Sequence, residues 1–153
     1  MNRALIVVIV LALVAAGYLI WRNSAPETDF VKEAEIRIIA ENFGQKLKAV
    51  PLLADKETVA RVMDENYKEF VAPDLLNRWK ENPSGAPGRL TSSPWPERIE
   101  VGTVTKINDN KYEVSGDIIE VANADTGTKV VARLPVILTI ERVDGKWLIT
   151  KMR

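Results

Sequence analysis

The chain begins with a hydrophobic run in which no charged residue occurs between Ala4 and Trp21. A helix of roughly 20 apolar residues spans the hydrocarbon core of a bilayer. A helix on the surface of a globular domain would instead carry a polar face, and this run has none. The pattern therefore predicts a transmembrane anchor over residues 1–23, followed by a soluble domain over residues 24–153.

A cleaved signal peptide is the alternative, because Val14-Ala15-Ala16 places small residues where a signal peptidase could cut. The apolar run continues beyond them to Trp21. That is further than the roughly 7 to 15 residues of a signal peptide core, which favours the uncleaved anchor. The very short tail before the run favours a cytoplasmic N-terminus. We therefore expect a single-pass protein of the cell membrane, embedded through residues 4–21, with its soluble domain outside the cytoplasm.

After the anchor, apolar residues recur at helical spacing over three segments. The first segment begins at Ser24-Ala25-Pro26-Glu27 and ends at Pro51, Asp55 caps the second, and Pro73 opens the third. The positions predicted to face the core are Ile36, Ile39, Ala40, Phe43, Leu47 and Val50, then Val59, Val62, Met63, Tyr67 and Phe70, then Leu75, Leu76 and Trp79, with Val31, Ala34 and Ile38 widening the first stripe. We expect these helices to pack together over a sheet.

Residues 82–97 form the longest predicted loop, because four prolines and two glycines within them disfavour regular structure. Trp95 lies between two of these prolines. It either covers the core as a lid or forms an exposed contact, since loops often carry binding residues. We take Trp95, together with Arg89 and Leu90 of the same loop, as candidate binding residues.

The last third of the chain alternates apolar and polar residues, as strands do. Turns at Asn108-Asp109-Asn110, Ala124-Asp125-Thr126-Gly127 and Asp144-Gly145 divide it into four strands of an antiparallel meander. The alternation changes face at Ile118-Ile119 and onward to Val121, which predicts a β-bulge, and Pro135 requires an edge position or a bulge. The residues expected to share one face of each strand are Ile99, Val101, Thr103, Thr105 and Ile107, then Tyr112, Val114, Gly116 and Ile118, then Val130, Leu134, Val136, Leu138 and Ile140.

Helices that precede the strands in sequence give an α+β fold and not an α/β fold. This order, and the ending Ile140-Glu141-Arg142-Val143-Asp144-Gly145-Lys146-Trp147-Leu148-Ile149, resembles the nuclear transport factor 2-like superfamily. The resemblance covers residues 30–153 in outline and implies helices packed on a curved, cone-like sheet of four antiparallel strands. A cystatin-like arrangement of helix on sheet is the alternative. The superfamily that the chain resembles includes enzymes, ligand binders and membrane-anchored assembly proteins.

The residue inventory excludes several kinds of chemistry. The chain contains no cysteine and no histidine, which excludes disulfides, the usual zinc sites and catalytic systems built on either residue. Without Arg3 and Arg22 beside the anchor, the soluble part has 19 basic and 21 acidic residues. It therefore lacks the cationic surface that nucleic acids require. No phosphate-binding glycine motif occurs, and we expect neither a cofactor nor a metal site.

Any catalysis would depend on carboxylates, tyrosine or lysine. Ketosteroid isomerase, a member of the superfamily that this chain resembles, uses an Asp base with Tyr and Asp as hydrogen-bond donors. In this chain Asp117 is predicted to lie on the strand face opposite Tyr112, and Asp64, Glu65 and Glu69 to form a solvated helix face. Tyr112 is predicted to be a core ring with its hydroxyl at the rim, and it is the fourth candidate binding residue. We expect no catalytic residues.

Three functions remain. The leading one is a non-catalytic, membrane-tethered domain outside the cytoplasm that docks a protein partner in an envelope assembly, or forms a homodimer through its sheet. It follows from the anchor, the absent catalytic groups and the loop that carries Trp95. The second is the binding of a small apolar ligand inside the cone, which a filled sheet concavity would exclude. An isomerase- or dehydratase-like enzyme is the third and least favoured.

Overall fold

The structure, a computed structural model, describes residues 29–153. The chain divides into two units, Met1–Lys32 and Glu33–Arg153, and the second holds every strand that the structure describes. The predicted anchor at residues 1–23 and the predicted capping sequence that begins at Ser24 lie outside the described residues. Within the described range, no helix is both long enough and apolar enough to cross a membrane.

Three α-helices precede the sheet, as predicted. Their bounds are α1 at Asp29–Lys46, α2 at Lys56–Tyr67 and α3 at Pro73–Glu81. A 3₁₀ turn at Leu47–Ala49 follows α1, so the helix ends before Pro51. The Asp55 carboxylate accepts the Thr58 N–H at 2.9 Å, which caps α2 and lowers the pKa of Asp55. Pro73 occupies the first turn of α3, where its missing N–H costs little.

The apolar stripe of α1 faces the core. Ile36, Ala40 and Phe43 have no exposed surface, as the helical spacing predicted. Val31, Ala34 and Ile38, which were expected to widen the stripe, are all exposed, Val31 at 49% and Ile38 at 54%, so that expectation is wrong. All three lie beyond the arc of the helix that the core covers, which is the physical reason.

The four strands form one antiparallel sheet in sequence order, which confirms the predicted meander. Their bounds are β1 at Trp95–Asn108, β2 at Lys111–Ala124, β3 at Gly127–Val143 and β4 at Lys146–Met152. The last turn has positive φ at Asp144 (49°) and Gly145 (82°), the geometry of a two-residue hairpin that fits the twist of its strands. We call the sheet face that packs against the helices the inner face.

The loop predicted at residues 82–97 is shorter than expected. Pro83–Gly85 form a 3₁₀ turn, and Trp95 already belongs to β1, where it pairs with Val121. The flanking prolines do not prevent this pairing because Trp95 lies at the very start of the strand, where a neighbouring proline removes few ladder hydrogen bonds.

An extra residue in β1 changes which side chains of that strand face inward. Val101 pairs with Gly116, but Thr103 pairs with Ser115, so Gly102 is inserted between them as a bulge. Beyond it Val104 packs against the core, while Ile107 is 53% exposed. The prediction that Thr103, Thr105 and Ile107 share the face of Ile99 is therefore wrong.

The irregularity predicted from Ile118-Ile119 onward to Val121 is found at the end of that range. The register of β2 against β3 is unbroken from Lys111 to Glu120 and shifts between Glu120 and Val121. Val130 therefore pairs with Val121 on the outer face, and the prediction that it shares the face of Leu134 is wrong. The apolar pattern changes because this part of the sheet is buried on both faces, and Ile119 on the outer face has no exposed surface. Its direct cross-strand neighbours are Arg98 and Arg133, whose alkyl stems flank it.

Pro135 lies at an edge position, as its missing N–H requires. Ile137 exchanges two backbone hydrogen bonds with Arg153 on the β4 side, at 2.8 and 3.0 Å. Alternate residues of a strand direct their backbone nitrogens to the same side, so the nitrogen of Pro135 also faces the β4 side. The pairing of β4 with β3 does not reach Pro135, so within the described residues no strand would accept a hydrogen bond from this position.

The core packs aromatic rings from all three helices against the inner face. The ring of Phe43 lies 5.1 Å from that of Tyr67 and 6.3 Å from that of Trp79. On the sheet, Tyr112, Leu138 and Ile140 have no exposed surface and belong to the same cluster. We call the part of the inner face formed by Tyr112, Leu138 and Ile140 the filled end.

Candidate binding cleft

A cleft of about 350 Å³ lies between the other end of the inner face and the proline-rich loop. On the sheet side the cleft is lined by Pro96, Ile118, Glu120 and Leu134. On the loop side it is lined by six residues between Pro83 and Leu90. Leu47, Leu52 and Leu53 close it at the end of α1. We call this space the cleft. Its volume falls at the lower limit of the range that small-molecule sites occupy.

Hydrogen bonds hold the loop over the cleft. The Tyr67 hydroxyl donates to the Pro87 carbonyl at 2.8 Å, and burial raises the pKa of Tyr67 well above its ordinary value of 10.0. The hydroxyl therefore stays protonated as a donor. The Arg89 N–H donates to the Val50 carbonyl at 2.8 Å, and the Leu52 N–H donates to the Arg89 carbonyl at 2.9 Å. The cleft thus has fixed walls on both sides.

The composition of the loop explains why space remains beneath it. A Cβ atom at Gly88 would lie 2.9 Å from both the Val50 carbonyl and the Leu52 side chain, so only glycine allows this close approach. The neighbouring Ala86 and Pro87 have short side chains. They lie over the sheet but are too short to contact it, whereas the large rings of the core pack against it.

Glu120 is the only charged residue among the thirteen that line the cleft. It is half-buried, and its direct cross-strand neighbours, Pro96 and Ala132, carry no charge. In the described part of the chain it makes no hydrogen bond or ion pair within the usual distances. A carboxylate among apolar groups therefore faces the space in which a ligand would lie.

A second, more polar depression lies on the far side of the loop. It is lined by Lys48, Arg89, Ser92, Trp95 and Asn123. At its edge the Glu97 carboxylate accepts hydrogen bonds from the Lys48 ammonium group at 2.7 Å and from the Trp95 indole N–H at 2.7 Å. These two hydrogen bonds lower the pKa of Glu97 below its ordinary value of 4.5, with Lys48 the larger cause.

The structure brings three of the four predicted binding residues together. Arg89 and Trp95 line the polar depression, and Leu90 is 60% exposed at the rim of the cleft. Tyr112 lies apart from them, because it is nine residues along β2 from Val121, the partner of Trp95. At about 3.3 Å per residue the separation along the strand is up to about 30 Å. The Tyr112 ring is fully buried against Trp147 at 5.3 Å, and its hydroxyl is buried as well, so the prediction that the hydroxyl lies at the rim is wrong.

The carboxylates considered for catalysis lie away from the cleft. Asp117 is on the outer face of β2, with its charge near Arg133. Asp64 and Glu65 pair with Lys80 and Arg61 at 2.9 and 2.7 Å on the helical surface. Over residues 29–153 no three acidic side chains gather closely enough to hold a metal ion.

Several cleft residues were missed by sequence reasoning. Glu120 gave no signal, because a polar residue among strand residues is usually assigned to solvent. Leu52 and Leu53 follow a proline and lie outside any periodic segment. The sequence nevertheless carried one signal for them. They are two apolar residues shortly after α1 that belong to no predicted helix or strand.

Comparison with known proteins places the chain near solved structures of unknown function. No family model matches it, and no curated protein does. A protein of unknown function from Bacteroides thetaiotaomicron shares 18% identity at a TM-score of 0.42, covering 94% of this chain and 98% of that one. One from Mycobacterium tuberculosis shares 13% identity at a TM-score of 0.41, covering 84% and 74%.

A nuclear transport factor 2-like protein of unknown function from Shewanella oneidensis shares 15% identity at a TM-score of 0.30, covering 84% of this chain and 97% of that one. These TM-scores all lie below 0.5, and we assign the chain to no family on them.

Proposed function

We propose that this protein is a non-catalytic, membrane-tethered binding domain that receives a small apolar ligand in the cleft. The observation that carries the proposal is the cleft itself, a space of about 350 Å³ with twelve uncharged residues in its lining. Concave, mostly apolar sites with one or two polar groups are typical of ligand-binding proteins. The filled end of the sheet leaves this space as the place for a ligand.

The tether is the apolar run at residues 4–21, with the domain outside the cytoplasm, as the sequence predicts. The cone-like curvature of the nuclear transport factor 2-like fold is part of the same proposal. The bulges in β1 support it, since an inserted residue bends its strand and increases the twist.

The cleft can be tested by filling it. Leu134→Trp places a larger side chain in the lining, whereas Ile107→Trp makes a similar change at an exposed position of β1 outside the lining. Native mass spectrometry of the full-length protein should show a bound small molecule in the native chain and in Ile107→Trp, and none in Leu134→Trp. Equal occupancy in all three proteins would contradict the proposal.

A protein partner is the second candidate, and the exposed leucines favour it. Leu53 and Leu90 are 76% and 60% exposed and line the same shallow surface beside Arg89. Apolar side chains grouped on a surface often mark a contact with another protein. Photo-crosslinking from Leu90 in the anchored protein should then capture one partner, and the yield should fall with Leu53→Asp and persist with Ile107→Asp. Equal yields from both variants would contradict this candidate.

A further inference from the structure

Within the described residues, Glu120 differs from the other glutamates of the sheet because no lysine or arginine forms an ion pair with it. Glu97 pairs with Lys48, Glu113 with Arg153 and Glu141 with Lys111, at distances between 2.7 and 3.1 Å. Glu100 accepts from both Arg98 and Arg133. Within the described residues, Glu120 is thus the one sheet glutamate without an ion pair, and it is also the one that lines the cleft.

The direct neighbours of Glu120 on the sheet are apolar. Its neighbours along the inner face of β2 are Ile118 and Ala122, and Pro96 and Ala132 lie beside it on the adjacent strands. Apolar groups screen charge less than water does, so a cation beside this carboxylate would be attracted more strongly than one at an open surface. The same surroundings would repel an anionic group.

We propose that the ligand of the cleft is an apolar molecule that carries one cationic group, with Glu120 as its counter-ion. This inference rests on the ligand-binding function proposed above and specifies the chemical class of that ligand. The apolar part lies against Ile118 and Leu134, and the cation lies at the Glu120 carboxylate. Arg89 does not oppose this arrangement, because its side chain lines the two depressions outside the cleft.

The test compares three probes with the same six-carbon chain: n-hexylammonium, n-hexanol and hexanoate. Each is titrated into the full-length protein in lipid nanodiscs, with empty nanodiscs subtracted, and the Kd is taken from NMR shifts of the cleft methyl groups. We expect n-hexylammonium to bind roughly three- to tenfold more tightly than n-hexanol, as a partly exposed ion pair allows. Hexanoate should bind most weakly.

The matched variants are Glu120→Gln and Glu113→Gln. Glu120→Gln keeps the size of the side chain and should make n-hexylammonium and n-hexanol bind equally. Glu113→Gln removes a sheet carboxylate that pairs with Arg153 outside the cleft, and the preference should persist. Urea denaturation of both variants verifies that they fold.

The outcomes separate this inference from the function on which it rests. Equal binding of n-hexylammonium and n-hexanol to the native chain would overturn the cationic class and leave an apolar site. A preference that survives Glu120→Gln would overturn the role of Glu120. If none of the three probes shifts the cleft methyl groups, the proposed binding function fails together with the inference.

Discussion

The two ends of the inner face of the sheet are covered by different kinds of structure. At the filled end, Leu138 has no exposed surface and packs in one cluster with the rings of Phe43 and Tyr67. Four residues earlier on the same face of β3, Leu134 is 44% exposed and borders the cleft. The strand and the side chain are the same in both places, so the difference comes from what lies opposite.

Helices deliver large side chains to the filled end, whereas a loop of prolines, alanine and glycine covers the other. Large rings occupy the space between helix and sheet at the density of a protein interior. The loop is fixed by the Tyr67 hydroxyl and by the bridge between Arg89 and the chain at Val50 and Leu52, but its short side chains leave a gap. A fixed wall with short side chains thus leaves an open cleft at this end of the sheet.

The largest expected difference in stability is between alanine substitutions at Leu138 and Leu134 of β3. Leu138→Ala removes fully buried methyl groups and leaves a cavity, so it should lower the free energy of unfolding by about 2–5 kcal/mol. Leu134→Ala should cost less than about 1 kcal/mol, because that side chain is already half in water. Urea denaturation of both variants measures this. Equal losses would mean that the cleft is not open in solution.

The next effect concerns how closely α1 approaches the sheet. A Cβ atom at Gly44 would lie 2.3 Å from the backbone nitrogen of Ile99, so Gly44→Ala forces the helix away from β1. We expect a loss of about 1–3 kcal/mol in the free energy of unfolding. Gly85→Ala is the control, since no atom lies within 4 Å of the added methyl group. A neutral Gly44→Ala would contradict the described contact.

A smaller effect should appear in acid, at the polar depression beside the cleft. The hydrogen bonds from Lys48 and Trp95 lower the pKa of Glu97 in the folded state below its ordinary value of 4.5. Glu97 therefore stabilises the fold above that value, and the stabilisation is lost as the pH falls through the lowered pKa. Because the Glu97 side chain is 32% exposed and solvent screens its pair with Lys48, the contribution should stay below about 1 kcal/mol.

Glu97→Gln should accordingly flatten the dependence of the urea midpoint on pH below 4.5 and leave the cleft unchanged. Glu113→Gln serves as the comparison, because it removes the ion pair with Arg153 at the other end of the β1 and β2 hairpin. An acid dependence that Glu97→Gln does not alter would show that the pair with Lys48 does not form in solution.

Periodicity predicted the filled end well, and it did so for a physical reason. Residues such as Phe43 and Leu138 lie in long elements whose repeat fixes the buried face. The turns at Asn108 and Asp144 were predictable because their residues tolerate the required backbone angles. The order of helices and strands, and hence the α+β fold, followed from these local rules.

The cleft could not be predicted in the same way. It depends on the close approach at Gly88 and on a loop that returns to Val50, neither of which has a repeat in the sequence. Arg89, Leu90 and Trp95 were proposed because they share a proline-rich segment. Glu120 was missed because only the tertiary structure shows that its strand neighbours are apolar and that it has no ion pair among residues 29–153.

The central claim is that an apolar ligand enters the cleft and not the filled end. The direct measurement is a titration of n-hexanol into full-length protein with labelled Ile and Leu methyl groups, observed by NMR in nanodiscs. The account predicts shifts at Leu52, Ile118 and Leu134, with Leu138 and Ile140 unchanged. Shifts of equal size at both ends of the inner face, or at neither, would contradict it.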